Sequence, residues 1–265
     1  MKVVSLVENT SNGPLRPAHG LSLYIETQGL RILFDIGPSY DILKENAEKM
    51  SVDLSSVDYV VISHGHYDHG GALEGFLSEN KKAAVFVRKD AFEPHYNITH
   101  SPRKYIGLDP SLSEHPSIVK TGSSFVPFDG GLLFTVKGKE KYHSPANDVL
   151  TCGECPDEFS HEQHLLIREG DKAFLFCGCG HKGIVNIMKK ARRFKPDFCF
   201  GGFHLSNPTT GESVSEDILD GVAKELGKYN TIFYTCHCTG ERSFRYLSGK
   251  TDNIRYFSCG ETFEI

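Results

Sequence analysis

Apolar residues recur along this chain with two different periods, and the switches between them mark out its elements. Val3 to Val7 alternates weakly and predicts a strand. Leu21-Ser-Leu-Tyr-Ile-Glu-Thr followed by Leu30-Arg-Ile-Leu-Phe-Asp predicts a hairpin with Gln28-Gly29 at its turn. Between them, residues 9–20 are rich in Asn, Gly and Pro and predict a loop that ends at His19 and Gly20. Residues 38–50 predict a helix with Ile42, Leu43, Ala47 and Met50 on one face. The run Val57-Asp-Tyr-Val-Val-Ile predicts a buried strand, Ala72 to Leu77 a helix whose amino end would favour an anion, and Ala83 to Val87 the next strand.

Residues 88–116 then lose regular periodicity, and a stretch of that length inside a compact domain predicts a lid or binding insertion. Phe92, Tyr96 and Tyr105 within it are too aromatic for a disordered excursion. Short strands follow at 118–120, 124–127 and 132–136, then an irregular stretch at 137–162. The second half repeats the design of the first: a hairpin of 164–168 and 172–176 around Glu169-Gly170-Asp171, a helix over 182–194, a strand at Phe198 to Phe200, a helix from Ser215 to Leu226 and a strand from Ile232 to Thr235. Strands followed by strand-helix alternation, twice over, suit an α/β architecture of two mixed sheets packed face to face with helices outside, in one domain spanning 1–265.

Composition changes this picture little. With 265 residues, 39% hydrophobic and 24% charged, the chain reads as an ordinary soluble globular protein. A net charge of −5 gives no basic footprint for nucleic acid, and no apolar run approaches the ~20 residues of a membrane span. The amino-terminal apolar run breaks off at Glu8, before a signal-peptide core could form, so a cytoplasmic location and a small-molecule partner are expected. Oligomeric state is left open. Eight cysteines then read as reduced thiols, although Cys152 and Cys155 would also suit a redox pair or half of a zinc site.

The chemistry concentrates in Ser63-His64-Gly65-His66-Tyr67-Asp68-His69-Gly70-Gly71, where a buried strand empties into a loop with four metal-ligand side chains in six residues. Alternate positions of an extended segment point the same way, so His64 and His66 can share one ion while Asp68 and His69, past the turn, face a second. Two ions need further ligands, and three later strand ends offer them: His181 in Gly-Cys-Gly-His, His204 in Gly-Gly-Phe-His, and His237 in Thr-Cys-His-Cys-Thr-Gly.

His-x-His-x-Asp-His after an apolar strand is the signature of the metallo-β-lactamase superfamily, and this chain resembles a member over about residues 1 to 260. Leu33-Phe34-Asp35-Ile36-Gly37 is similar to an early segment whose aspartate supports the metal loop. Ala18-His19-Gly20-Leu21-Ser22, Gly178-Cys179-Gly180-His181, Gly201-Gly202-Phe203-His204-Leu205 and His237-Cys238-Thr239-Gly240 resemble a branch of metal-dependent hydrolases that includes 7,8-dihydropterin-6-methyl-4-(β-D-ribofuranosyl)aminobenzene-5′-phosphate synthases.

The resemblance implies an αββα sandwich and two divalent transition metals, with zinc expected from ligand softness and iron or manganese also accepted by such sites. It implies His64, His66 and His181 on one metal and Asp68, His69 and His237 on the other. Cys179 stands where members carry a bridging aspartate or, in some, a cysteine. Asp35 would support a ligand histidine from behind, and His19 would lie near the metals. Two ions about 3.5–4 Å apart can hold a hydroxide and polarise the bond under attack. Asp68 would orient that nucleophile or take a proton, and His204 would contact substrate or the transition state. Arg103, Lys104 and Tyr105, two cations beside an aromatic, are the expected anion-binding group of the lid. Three functions compete: hydrolysis of a small, anionic, phosphate-containing ester; carbon–carbon bond formation as in the pterin synthases; and a metal-containing binding or regulatory protein with weak turnover.

Overall fold

The structure, a computed structural model, describes residues 1–138 and 141–265; Lys139 and Glu140, inside the stretch read as irregular, lie outside the described residues. The chain opens as a meander of β1 (Lys2–Val7), β2 (Ser22–Thr27) and β3 (Leu30–Phe34). α1 (Tyr40–Lys49) returns it so that β4 (Tyr59–Val61) lies parallel to β3. A helical turn, α2 (Tyr67–Gly70), and α3 (Leu73–Glu79) lead to β5 (Ala84–Arg88), parallel to β4. α3, with Ala72 as its cap residue, is the helix expected after the metal loop, and the loop itself adds the turn α2, capped by His66.

Three short strands come next, β6 (His95–Asn97), β7 (Lys104–Tyr105) and β8 (Ile118–Thr121), followed by β9 (Ser124–Phe125), β10 (Gly131–Phe134), β11 (Leu150–Cys152) and β12 (Cys155–Pro156). β13 (His164–Glu169) and β14 (Lys172–Phe176) form the expected hairpin. Strands and helices then alternate through α4 (Ile184–Ala191), β15 (Phe198–Gly201), α5 (Glu216–Leu226), β16 (Ile232–Thr235), α6 (Glu241–Ser248) and β17 (Ile254–Tyr256), and β18 (Thr262–Glu264) follows.

Two seven-stranded mixed sheets result, in the orders β18-β1-β2-β3-β4-β5-β8 and β17-β16-β15-β14-β13-β10-β9. The period-2 alternation of side chains divides each central strand between two cores. Ile32 and Phe34 of β3, Val61 of β4, and Phe174 and Phe176 of β14 pack between the sheets, while Leu33, Val60 and Leu175 face outward under the helices. Phe34 meets Phe176 across the gap with ring centroids 5.9 Å apart. Each fully buried phenylalanine of this kind stabilises the fold by roughly 1.5–3 kcal/mol. α1 and α3 cover one outer face and α4, α5 and α6 the other, which completes the αββα sandwich. No helix among the described residues is long and apolar enough to cross a membrane.

The stretch at 88–116 is more regular than its lack of periodicity suggests. β6 and β7 join β11 and β12 in a third, four-stranded sheet of order β12-β11-β6-β7, with Leu150 opposite Asn97 and Cys152 opposite His95. Two- and three-residue strands that pair with partners some fifty positions away leave no local signature. α6, β17 and β18 also go beyond the sequence reading; β18 closes the edge of the first sheet by pairing Glu264 with Lys2, a contact between the two ends of the chain.

Candidate metal centre

Asp35 follows β3, the 63–69 loop follows β4, Cys179 and His181 follow β14, His204 follows β15, and His237 follows β16. All lie past the carboxyl ends of parallel neighbours, where strands of both sheets release their loops toward one place. The loops touch: a Cβ on Gly178 would stand 2.0 Å from Ser63 Oγ and 3.2 Å from His64 Nδ1, so a larger residue would push the ligand loops apart. Asp35, His204 and His237 adopt φ of 58°, 50° and 51°, the left-handed region that non-glycine residues occupy at a cost and that clusters at functional sites.

Four histidines share one arrangement. His64 Nδ1 lies 2.8 Å from Ser63 Oγ, His69 Nδ1 2.7 Å from Asp35 Oδ2, His181 Nδ1 2.8 Å from Asn147 Oδ1 and His237 Nδ1 2.8 Å from Asn9 Oδ1. Ser63 Oγ donates its own proton to Asp35 Oδ2, so it can only accept from His64. Each Nδ1 is therefore the protonated nitrogen, and each Nε2 presents a bare lone pair to the centre. These lone pairs face each other: Nε2 of His69 and His237 are 3.2 Å apart, and those of His64 and His181 are 3.3 Å apart. Ring nitrogens turned toward one another at such separations suit a shared cation. Metal ions suit these residues.

Carboxylates fix the loops from behind. Asp35 Oδ1 accepts the Ser63 backbone N–H at 2.7 Å, Glu162 Oε1 accepts that of His181 at 2.7 Å, and Glu8 Oε1 accepts that of His237 at 2.6 Å. Glu8 and Glu162 went unnoticed in the sequence; the available signal was a charged residue bordering a buried apolar run. Nothing in the sequence marks Asn9 or Asn147.

One donor atom from each of Asp68, His69, Cys179 and His237 falls within 4.8 Å of the others, and so do those of His64, Cys179 and His181, and of Cys179, His204 and Cys238. Cys179 belongs to all three sets, and Cys238 joins the third of them. His66 gathers instead with His95, Asp157 and His161, although its ring stays 4.5 Å from His64 and 5.1 Å from His181. His204 is buried with both ring nitrogens unpartnered, its ring 4.2 Å from that of His181.

Burial pushes His64 and His181 well below the ordinary histidine range, and the neighbouring histidines push the same way. Burial also opposes ionisation of Asp68, but His69, His19 and His237 outweigh it and hold that carboxyl well below the usual carboxylate range. His69 is held above its ordinary value, because Asp35 and Asp68 outweigh its burial. His64 and His181, kept neutral, and an ionised Asp68 are donors ready for divalent cations.

The centre forms the floor of a cavity of about 250 Å³, with His66, Asp68, Cys179, His181, His204 and His237 among its lining. His19 lines it too, with Nε2 3.3 Å from Asp68 Oδ2. The small third sheet and its connections contribute Asn97, His100, Lys104, Ile106 and Leu150 to the walls. Of the three residues expected to bind an anion, only Lys104 is there. Arg103 is turned away, with its guanidinium donating to Gly153 O at 2.9 Å and Glu154 Oε1 at 2.7 Å and lying over the Tyr96 ring at 4.0 Å. Tyr105 donates its hydroxyl to Leu108 O. The β6–β7 hairpin register decides this, since adjacent strand residues point to opposite faces. All eight cysteines are free thiols, including Cys152 and Cys155, which face each other across the β11–β12 turn.

Comparison with known proteins agrees with this geometry. The family model described as the metallo-beta-lactamase superfamily matches residues 15–158. An uncharacterized protein of Methanocaldococcus jannaschii, MJ0448, is 28% identical over 98% of each chain. The 7,8-dihydropterin-6-methyl-4-(beta-D-ribofuranosyl)-aminobenzene-5′-phosphate synthase of the same organism is 27% identical over 91% of this chain and 88% of its own length. Among solved structures, Tm1679, described as a metal-dependent hydrolase of the beta-lactamase superfamily, superposes with a TM-score of 0.82 at 26% identity, covering 100% of this chain and 99% of its own.

Proposed function

Since this chain belongs to the metallo-beta-lactamase superfamily, we propose that it is a metal-dependent hydrolase acting on a small anionic ester, one carrying a phosphate. The observation that carries the reading is the set of four histidines whose Nδ1 protons are all committed to oxygen acceptors, leaving four Nε2 lone pairs around Asp68 and Cys179. His64, His66 and His181 would hold one divalent ion and Asp68, His69 and His237 the other, with Cys179 between them. Bound there, two such ions supply Lewis acidity and a water-derived nucleophile at neutral pH.

The chain's own residues do the rest. Asp68, ionised and lining the cavity, orients the nucleophile or accepts its proton. His204, buried and with no other hydrogen-bond partner, faces the same cavity and contacts the substrate at the reacting end. Lys104 in the wall supplies a positive charge to a remote anionic group, which positions the substrate for attack. A second reading, carbon–carbon bond formation, is favoured by one specific observation: the similarity to the pterin synthase runs over 91% of this chain.

Protein loaded with zinc, iron or manganese should carry about two ions per chain, and Asp68→Ala about one. A content near zero after loading removes both readings. A panel of phosphodiesters, phosphomonoesters, thioesters and lactones, run beside an assay for the product named by the synthase relative, separates the hydrolytic reading from the second one. Turnover of neutral esters alone would contradict the anionic substrate.

A further inference from the structure

A group of buried polar residues behind His66 plays no part in the reading above. Asp157, just past β12, accepts three hydrogen bonds: Oδ2 from His95 Nδ1 at 2.8 Å and from His161 Nε2 at 3.2 Å, and Oδ1 from the Phe159 backbone N–H at 2.7 Å. The side chains of Asp157, His95 and His161 are at most 2% exposed. An acceptor of three donors in such surroundings is a carboxylate, and it dictates where both imidazoles keep their protons. Each partner is left with a bare nitrogen on the far side of its ring.

Both bare nitrogens point back into the metal loop's surroundings. His161 Nδ1 accepts the backbone N–H of Gly65, the residue between His64 and His66, at 2.8 Å. His95 Nε2 is buried with no hydrogen-bond partner, and so is His66 Nε2. One donor atom of His66 and one of His95 fall within the same 4.8 Å group, and the rings stand edge to face at 5.6 Å. Neither nitrogen makes a hydrogen bond as the rings stand, and the two lie in one cluster, where a proton on one would answer the lone pair of the other. The loop has no slack to evade this: a Cβ on Gly65 would lie 2.3 Å from Ala91 O and 2.9 Å from His95 Nε2.

We propose that Asp157 is a positioning residue for the metal loop, acting through two histidines: it sets His161 to hold the Gly65 backbone and sets His95 to receive the Nε2–H of His66, so that His66 offers Nδ1 to the metal centre. His66 thereby differs from His64, His69, His181 and His237, whose Nδ1 is protonated and whose Nε2 faces the centre. The pattern also parallels Asp35, Glu162 and Glu8, each of which holds a ligand-loop backbone N–H directly. At Gly65 the same task is passed through an imidazole. A cation held by His66, His95, His161 and Asp157 fits less well, because ligation by His161 Nε2 would move its proton to Nδ1 and set it against the Gly65 N–H.

The inference rests on the two-metal reading only for the role of His66; the tautomers themselves can be read in metal-free protein. Long-range proton–nitrogen NMR of uniformly labelled protein should show Nε2–H at His66, Nδ1–H at His95 and Nε2–H at His161. A proton on His66 Nδ1 overturns the proposal, whatever the protein hydrolyses. In zinc-loaded protein, His95→Phe should weaken one zinc by roughly 10–100-fold in chelator competition and leave the other in place. His95→Gln, whose side-chain oxygen can accept from His66, should restore most of the loss. Equal affinities in wild type and His95→Phe, or no rescue by glutamine, would reduce the cluster to packing. A third zinc bound at Asp157, seen as an anomalous diffraction peak, would also overturn it. Loss of both zinc ions from wild type together with intact tautomers would remove the functional reading and leave the positioning network standing.

Discussion

His69 Nδ1 donates to Asp35 Oδ2 at 2.7 Å, and the same oxygen accepts from Ser63 Oγ at 2.7 Å, whose lone pair in turn receives the Nδ1 proton of His64. One buried carboxylate thus orients a histidine from each of the two sets of donors. Asp35→Asn offers a single oxygen and turns an N–H₂ toward one of these partners, which reverses a tautomer. Metal affinity at both sites should fall about 10–100-fold, as losses behind ligand histidines commonly do. Competition with a chromophoric chelator measures it; an unchanged affinity would show that the histidines hold their orientation unaided.

Cys179 is the one residue common to the three sets of donors at the centre. Burial raises its thiol pKa, so a bound cation would have to displace its proton to solvent. Cobalt-loaded wild type should therefore show a thiolate-to-metal charge-transfer absorption, which Cys179→Ser removes. Cys179→Asp, with a carboxylate oxygen donor in place of the sulfur, should keep two ions. A spectrum that persists in Cys179→Ser would move the sulfur donor to Cys238.

How far the sequence could reach is visible in individual residues. The sandwich was legible because β3, β4 and β14 alternate strictly between two apolar environments, as with Ile32, Leu33 and Phe34. The metal loop was legible because its four donors are adjacent. His181 and His237 follow buried strands and could be placed with the help of family resemblance. What remained hidden depends on contacts between distant segments. The third sheet pairs residue 97 with 150, and Asp157 and His161 meet His95 only because of that pairing. Direction was hidden too: in Arg103 and Lys104 the same charge sits on neighbouring residues, and only the strand geometry sends one to Glu154 and the other to the cavity.

That difference predicts opposite outcomes for two similar substitutions. Lys104→Ala should weaken binding of a phosphorylated substrate by about 1.5–3 kcal/mol, the range for a hydrogen bond to a charged group. Arg103→Ala should leave binding unchanged and cost at most about 1 kcal/mol of stability, since its partner Glu154 is well exposed. Wild-type affinity should decline as salt rises, and that of Lys104→Ala should decline less. Binding isotherms at two ionic strengths test this; a loss confined to Arg103→Ala would mean that the hairpin reorders when substrate enters.

His164 gives a pH signature independent of any metal. It is fully buried on β13, opposite Phe134 with ring centroids 5.4 Å apart, and neither ring nitrogen has a hydrogen-bond partner. Glu162 lies 3.7 Å away, but its carboxylate is engaged with the backbone N–H groups of His181 and Lys182. Burial lowers the His164 pKa to about 3, against about 6.5 in the unfolded chain. Between those values the unfolded chain binds the proton and the folded one does not. Stability from this residue is thus complete above pH ~6.5 and is lost as pH falls toward ~3, with a limiting slope of about 1.4 kcal/mol per pH unit. His164→Leu removes the titration. In urea unfolding of chelator-treated protein, the gap between variant and wild type should be constant above pH ~7 and shift in the variant's favour by that slope between pH ~6 and ~4. Parallel curves over the whole range would mean that His164 is protonated in the fold, paired with Glu162.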